Sequence, residues 1–84
     1  MPKSKLRQPS HALTQILADN VRSLRLEKGL SQEGLAEICG FHRTYVGSVE
    51  RGERNVTLST LELLSRGLGI GVPELLSKGH SRDA

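Results

Sequence analysis

The feature that most constrains this chain is a pair of short apolar-periodic segments separated by a single glycine. Leu30-Ser31-Gln32-Glu33-Gly34-Leu35-Ala36-Glu37-Ile38-Cys39-Gly40 carries a helix start at Ser31 and a left-handed stop at Gly40. Its expected buried face is Leu35, Ala36 and either Cys39 or Ile38. A second short helix follows almost at once, from about His42 to Glu50, with Val46 and Val49 inward and Gly52 ending it. A connection of three or four residues forces two short helices to cross steeply. Ala36 is small enough on the inner face to let the second helix approach, and Gly40 supplies the positive φ that the turn requires.

The flanking sequence is helical too. Leu13, Ile16, Leu17, Val21, Leu24 and, at the margin, Leu26 recur at spacings of three and four behind Ser10 as N-cap, with Lys28-Gly29 as a basic stop. Thr57 caps a fourth helix bearing Leu58, Leu61, Leu64 and Leu68, which the segment Gly67-Leu68-Gly69-Ile70-Gly71 is expected to break. A last short helix starts near Gly71, with Pro73 in its first turn and Leu75 and Leu76 as its apolar face. Nothing alternates with period two over a useful length. The expected fold class is therefore all-α, a compact five-helix domain over residues 11–77. Residues 1–10, with Lys3, Lys5 and Arg7 and no acidic residue, read as a flexible basic tail, and residues 78–84 as a frayed end.

Composition narrows the function. An 84-residue chain with 14 leucines, one Phe, one Tyr and no Trp builds one modest aliphatic core. The formal charge of +3 mildly favours polyanionic partners. The single Cys39 rules out an internal disulfide and a multi-thiolate zinc site within one chain. His11, His42, His80 and Cys39 fall on separate elements without ligand spacing, and no phosphate loop or nucleophile motif occurs. No enzyme, metal, cofactor or small-molecule ligand is expected. Apolar runs reach only two or three residues, so no membrane span is expected. The start MPKSKLRQPS leads into polar sequence rather than an apolar signal core, so the expected address is the cytoplasm.

Two short helices at this spacing form a helix-turn-helix, whose second helix can enter a DNA major groove. Leu30-Ser31-Gln32-Glu33, Leu35-Ala36-Glu37, Gly40, Val46 and Val49-Glu50-Arg51-Gly52 closely resemble the Cro/cI-type (XRE) family of prokaryotic and phage regulators. The resemblance continues through Leu61, Leu64 and Leu68-Gly69-Ile70. The stretch from His42 to Asn55 looks most like the recognition segment of restriction–modification controller proteins. Gly34 departs from the family pattern and costs about 1 kcal/mol against Ala inside a helix. The long basic N-terminal tail departs too, and leaves extra DNA contacts open.

The resemblance implies a lambda-repressor-like domain that binds a pseudo-palindromic operator as a homodimer and regulates transcription, including that of its own promoter. In a major groove, the outward positions early in the third helix would be His42, Arg43, Thr44, Gly47 and Ser48. Arg43 matches guanine O6 and N7 bidentately; Thr44 and Ser48 can reach base edges. His42 is open among cap, phosphate contact and no role. Tyr45 is open between a DNA contact and partial core packing. Gln32 resembles the family's phosphate-contacting glutamine, and Arg54 and Asn55 match positions that hold the DNA backbone in similar controllers. Arg51 is expected to pair with Glu50 or Glu53.

Glu33 and Glu37 form an acidic face that, by resemblance to phage repressors, would contact the sigma subunit of RNA polymerase; a merely solvated face is the competing account. Leu63, Ile70, Val72, Leu75 and Leu76 have no obvious intrachain partner and are expected at the dimer interface. Two other functions share this fold. A toxin–antitoxin antitoxin would need a toxin-wrapping segment, for which little chain follows Leu76. A protein-interaction adaptor would bind DNA only weakly and without sequence preference.

Overall fold

The computed structural model describes residues 8–79, so most of the basic tail and the last five residues lie outside the described region. Five helices follow one another: α1 (His11–Glu27), α2 (Gln32–Cys39), α3 (Arg43–Glu50), α4 (Leu58–Leu68) and α5 (Val72–Leu75). Among the described residues there is no strand.

Side chains start four of these helices. Ser10 Oγ accepts from Leu13 N at 3.1 Å, Ser31 Oγ from Gly34 N at 2.9 Å, and Thr57 Oγ1 from Thr60 N at 3.1 Å. His42 does the same for α3 through a ring nitrogen. Each satisfies an N–H that the helix itself cannot, typically worth about 1 kcal/mol. Gly40 ends α2 at φ 80°, and its turn delivers Phe41 N to the carbonyl of Ala36 at 2.8 Å.

α2 packs on α3 and α4, while α1 lies across α3, α4 and α5. Leu17 and Val21 from α1, Leu35, Ala36 and Cys39 from α2, Val46 and Val49 from α3, and Leu61, Leu64 and Leu68 from α4 meet in one core. Leu75 closes it from α5. Between the two expected α2 contributors, Cys39 turns inward and Ile38 stays exposed.

The structure corrects the sequence analysis at several points. The inward stripe of α1 runs Leu17, Val21, Arg25; Leu13 is in register with it but lies in the first turn and is exposed, and Leu26 falls outside it and is exposed. Leu58, at the start of α4, is 79% exposed. As expected, the segment from Gly67 to Gly71 ends α4, at Leu68 with Gly69 as its left-handed C-cap; Gly67 itself is still inside the helix. It is the point where α4 lies against α2: a Cβ there would sit 2.8 Å from Cys39 Sγ and 3.3 Å from Ile38 Cγ2. Leu75, expected at a dimer interface, is fully buried in its own chain. Asn20 explains how α5 is drawn in, because its Nδ2 donates to the carbonyls of Leu75 and Ser77, both at 2.8 Å.

Candidate nucleic-acid interface

The first turn of α3 is the exposed part of that helix. Its N-cap, His42, accepts the Thr44 N–H on Nδ1 at 3.2 Å and lies 2.8 Å from the Thr44 hydroxyl through the same nitrogen. A nitrogen that accepts an N–H carries no proton, so the hydroxyl must be the donor in the second contact. Thr44 is exposed, and its hydroxyl, with its proton given to His42, keeps lone pairs as an acceptor beside the side-chain methyl group. Capping is the role the structure gives His42. Arg43, beside it, is exposed and makes no hydrogen bond or ion pair among the described residues.

The second turn differs from expectation. Gly47 and Ser48 are buried, Ser48 to 5% exposure, so neither presents itself to a groove. The loop after α3 returns across this side, its Glu53 N donating to the Ser48 carbonyl at 3.0 Å. Ser48 Oγ donates to the Tyr45 carbonyl at 2.7 Å and accepts from Arg54 Nε at 2.8 Å. Gly47 faces α2: a Cβ would stand 3.3 Å from Gln32 Oε1 and 3.2 Å from Arg51 Nη1. The expectation of Ser48 as a base-reading side chain is therefore withdrawn. Within α3, exposure is confined to the first turn, at Arg43 and Thr44.

Tyr45 is half-buried and sits between two neighbours. Its ring centroid is 5.2 Å from that of Phe41 at an interplanar angle of 59°, and the Arg54 guanidinium carbon lies 5.0 Å from the same centroid. Tyr45 thus packs against its own chain and supports a cation, a cation–π arrangement worth about 0.5–1 kcal/mol at an exposed site. Arg54 and Asn55 are both exposed on the loop that follows α3. Arg51 pairs with Glu53, Nε to Oε2 at 3.0 Å on the open surface, not with Glu50.

Glu50 is taken by a residue the sequence analysis missed. Arg25, at the inward end of α1, donates from Nε to Glu50 Oε2 at 2.6 Å and from Nη2 to Oε1 at 3.0 Å. Its Nη1 donates to the Leu30 carbonyl at 2.8 Å, just ahead of α2. Gln32 Nε2 adds a bond to Glu50 Oε1 at 3.0 Å. The two charged side chains are only 10% and 4% exposed. This cluster fixes the last residue of α3 to α1 and to the first turn of α2, so the angle of the second helix is set by a bidentate ion pair as well as by apolar packing. The signal was present in the sequence: Arg25 falls in register with Leu17 and Val21. Gln32 is exposed at the N-terminus of α2, with its amide nitrogen turned to Glu50.

Glu33 and Glu37 are exposed on α2. Leu63, Ile70, Val72 and Leu76 are half-buried against the core, each keeping some apolar surface outward. Among the described residues no His, Cys, Asp and Glu side chains gather as a metal site, and no helix is long and apolar enough to cross a membrane.

Comparison with known proteins agrees with this geometry. The helix-turn-helix family matches residues 21–75, from the middle of α1 to the end of α5. The control protein C.SmaI of Serratia marcescens is 62% identical over 66 residues, covering 79% of each chain. The crystal structure of the restriction–modification controller C.AhdI from Aeromonas hydrophila superposes with a TM-score of 0.72 at 47% identity, over 76% of this chain and 97% of that one. The controller C.Esp1396I, solved as a tetramer with its natural 35-base-pair operator, gives a TM-score of 0.69 at 37% identity, over 76% of this chain and 88% of its own. This chain belongs to the helix-turn-helix family of transcriptional regulators, among relatives that are restriction–modification control proteins.

Proposed function

We propose that this regulator binds a two-fold symmetric operator as a homodimer and controls transcription from its own promoter. The observation that carries this reading is the first turn of α3, where Arg43 stands exposed and, among the described residues, unengaged beside a Thr44 whose hydroxyl is oriented by His42. Arg43 reads a guanine through its fork, and Thr44 accepts from a cytosine or adenine amino group or touches a thymine methyl. Gln32, His42, Tyr45, Arg54 and Asn55 frame that turn and hold the phosphate backbone. The operator-bound tetramer of C.Esp1396I supports the same use of the fold.

A single domain of this size makes too few base contacts for high specificity, which favours doubling. Leu63, Ile70, Val72 and Leu76 offer apolar surface for a two-fold contact near α4 and α5; Leu75 is excluded because it is already buried. Such a dimer would set its recognition helices about 34 Å apart, one DNA turn. Glu33 and Glu37 face away from the core and are assigned to RNA polymerase sigma subunit contact. The protein acts in a prokaryotic cytoplasm, on the nucleoid when bound. Its own concentration is the only input.

Selection of binding sites from random duplex DNA, at near-physiological salt, tests this with wild type, Arg43→Ala and a Glu33→Lys/Glu37→Lys variant. A symmetric site should emerge, with Arg43→Ala losing about 1–3 kcal/mol of discrimination at one G·C pair per half-site. The charge-reversed variant should keep the site and lose activation of a reporter. No enriched site, or one indifferent to Arg43→Ala, would shift the assignment to an antitoxin or an adaptor.

A further inference from the structure

Ser48 and Arg54 belong to different elements, the covered side of α3 and the loop beyond it, yet they share one hydrogen bond. Ser48 is buried, while Arg54 is exposed and reaches back to it with Nε at 2.8 Å. A hydroxyl has a single proton, and here Tyr45 O takes it at 2.7 Å. Only lone pairs are left toward the loop, which suits a guanidinium, a group with donors and no acceptor. Tyr45 covers a second part of the same side chain, 5.0 Å from centroid to guanidinium carbon, and Phe41 braces that ring from 5.2 Å. Two contacts therefore fix an exposed arginine, and the one from Ser48 engages the inner nitrogen of the fork rather than its outer edge.

We propose that Ser48 is a positioning residue: it holds Arg54 across Tyr45 in the free protein, so that the outer edge of the guanidinium meets a DNA phosphate without first being ordered. Ordering a long side chain at an interface is a recurrent cost of binding, and it is met here before DNA arrives. The proposal rests on the DNA-binding reading above. It also gives a function to a hydroxyl that is too buried to touch a base.

The test has one arm without DNA and one with it. Nitrogen relaxation of the Arg54 Nε–H in the free full-length chain should give an order parameter near the rigid-backbone value of about 0.85 in wild type, falling below about 0.6 in Ser48→Ala. Operator affinity is then measured for wild type, Ser48→Ala, Arg54→Ala and the double variant, at temperatures where urea titration shows all four folded. Ser48→Ala should weaken binding roughly 2- to 12-fold and should add nothing in the Arg54→Ala background. Arg54→Ala should shallow the salt dependence by about 0.9 for the lost phosphate contact. A loss from Ser48→Ala that persists in full without Arg54, or an Nε–H equally mobile with and without the Ser48 hydroxyl, overturns the proposal. A rigid Arg54 in a wild type that selects no DNA site overturns the DNA-binding reading and leaves the hold by Ser48 standing.

Discussion

The Arg25–Glu50 pair gives the most demanding test of how this small domain is held together. Replacing Glu50 with Ala removes both carboxylate oxygens and therefore three hydrogen bonds: two from Arg25 and one from Gln32. Gln32 is exposed and recovers its bond from water, so its loss counts for little. Arg25 does not recover. Its side chain is 10% exposed and keeps one partner, the Leu30 carbonyl, as a cation with no counter-charge. Breaking a buried pair from one side costs about 3–5 kcal/mol, far above the 0–1 kcal/mol of a surface pair. A domain of this length is stable by roughly 4–13 kcal/mol, so Glu50→Ala consumes a large part of the total. At about 4–8 °C per kcal/mol, the melting temperature should fall by at least about 12 °C.

Thermal and urea melts at one fixed protein concentration measure this, because dimerisation would add its own stabilisation. The double replacement Arg25→Met/Glu50→Leu removes both charges and should lie within about 2 kcal/mol of wild type, since removing a buried pair together is often close to neutral. The exposed Arg51–Glu53 pair serves as a control, and Glu53→Ala should cost under about 1 kcal/mol. The reasoning fails if Glu50→Ala costs no more than Glu53→Ala. It fails equally if the double variant is as damaged as the single one.

Two further outcomes follow from α2 lying so close to α4. Gly67→Ala should destabilise by up to about 2 kcal/mol net in urea, the helix-propensity gain of about 1 kcal/mol being set against a Cβ placed 2.8 Å from Cys39 Sγ. Gly34→Ala meets only Ser31 Oγ at 3.3 Å and Leu30 Cδ2 at 3.5 Å and should be the more stable of the two; the reverse order would refute the close-approach account. Burial pushes the Cys39 thiol above its ordinary pKa. The unfolded thiol then loses its proton first, so this contribution to stability is complete below about pH 8.5 and is lost as pH rises through the raised folded value. Between about pH 8 and 10 the melting temperature should drop more in wild type than in Cys39→Ala, and equal drops would count against it.

What could be read from the sequence was what depends on near neighbours. Ser31, Thr57 and Gly40 declare helix ends because each acts within three or four residues of its own position. The three-residue spacing of Val46 and Val49 set the inward face of α3 for the same reason. Ser48 was misplaced because its burial comes from outside the helix, from a loop that returns through Glu53 N and Arg54 Nε. Leu75 looked surplus because the bond that ties α5 to α1 comes from 55 residues back, where Asn20 donates to its carbonyl. Arg25 was missed because its counter-charge lies 25 residues downstream, at the far end of α3.

These misplaced and missed residues have something in common. Ser48, Arg25, Glu50 and Asn20 are polar groups that join separate elements, and three of them anchor α3 or the loop directly after it. The apolar core fixes which helices touch, but a leucine contact is non-directional and tolerates sliding. A bidentate ion pair at one end of α3 and a ring-nitrogen cap at the other are directional, and together they fix both the tilt and the start of the helix. Stability and presentation are therefore separable quantities in this molecule. An apolar exchange at Arg25 and Glu50 preserves the first and removes a constraint on the second. Residues that set the geometry of readout need not touch DNA, nor stand out as exposed charges in the sequence.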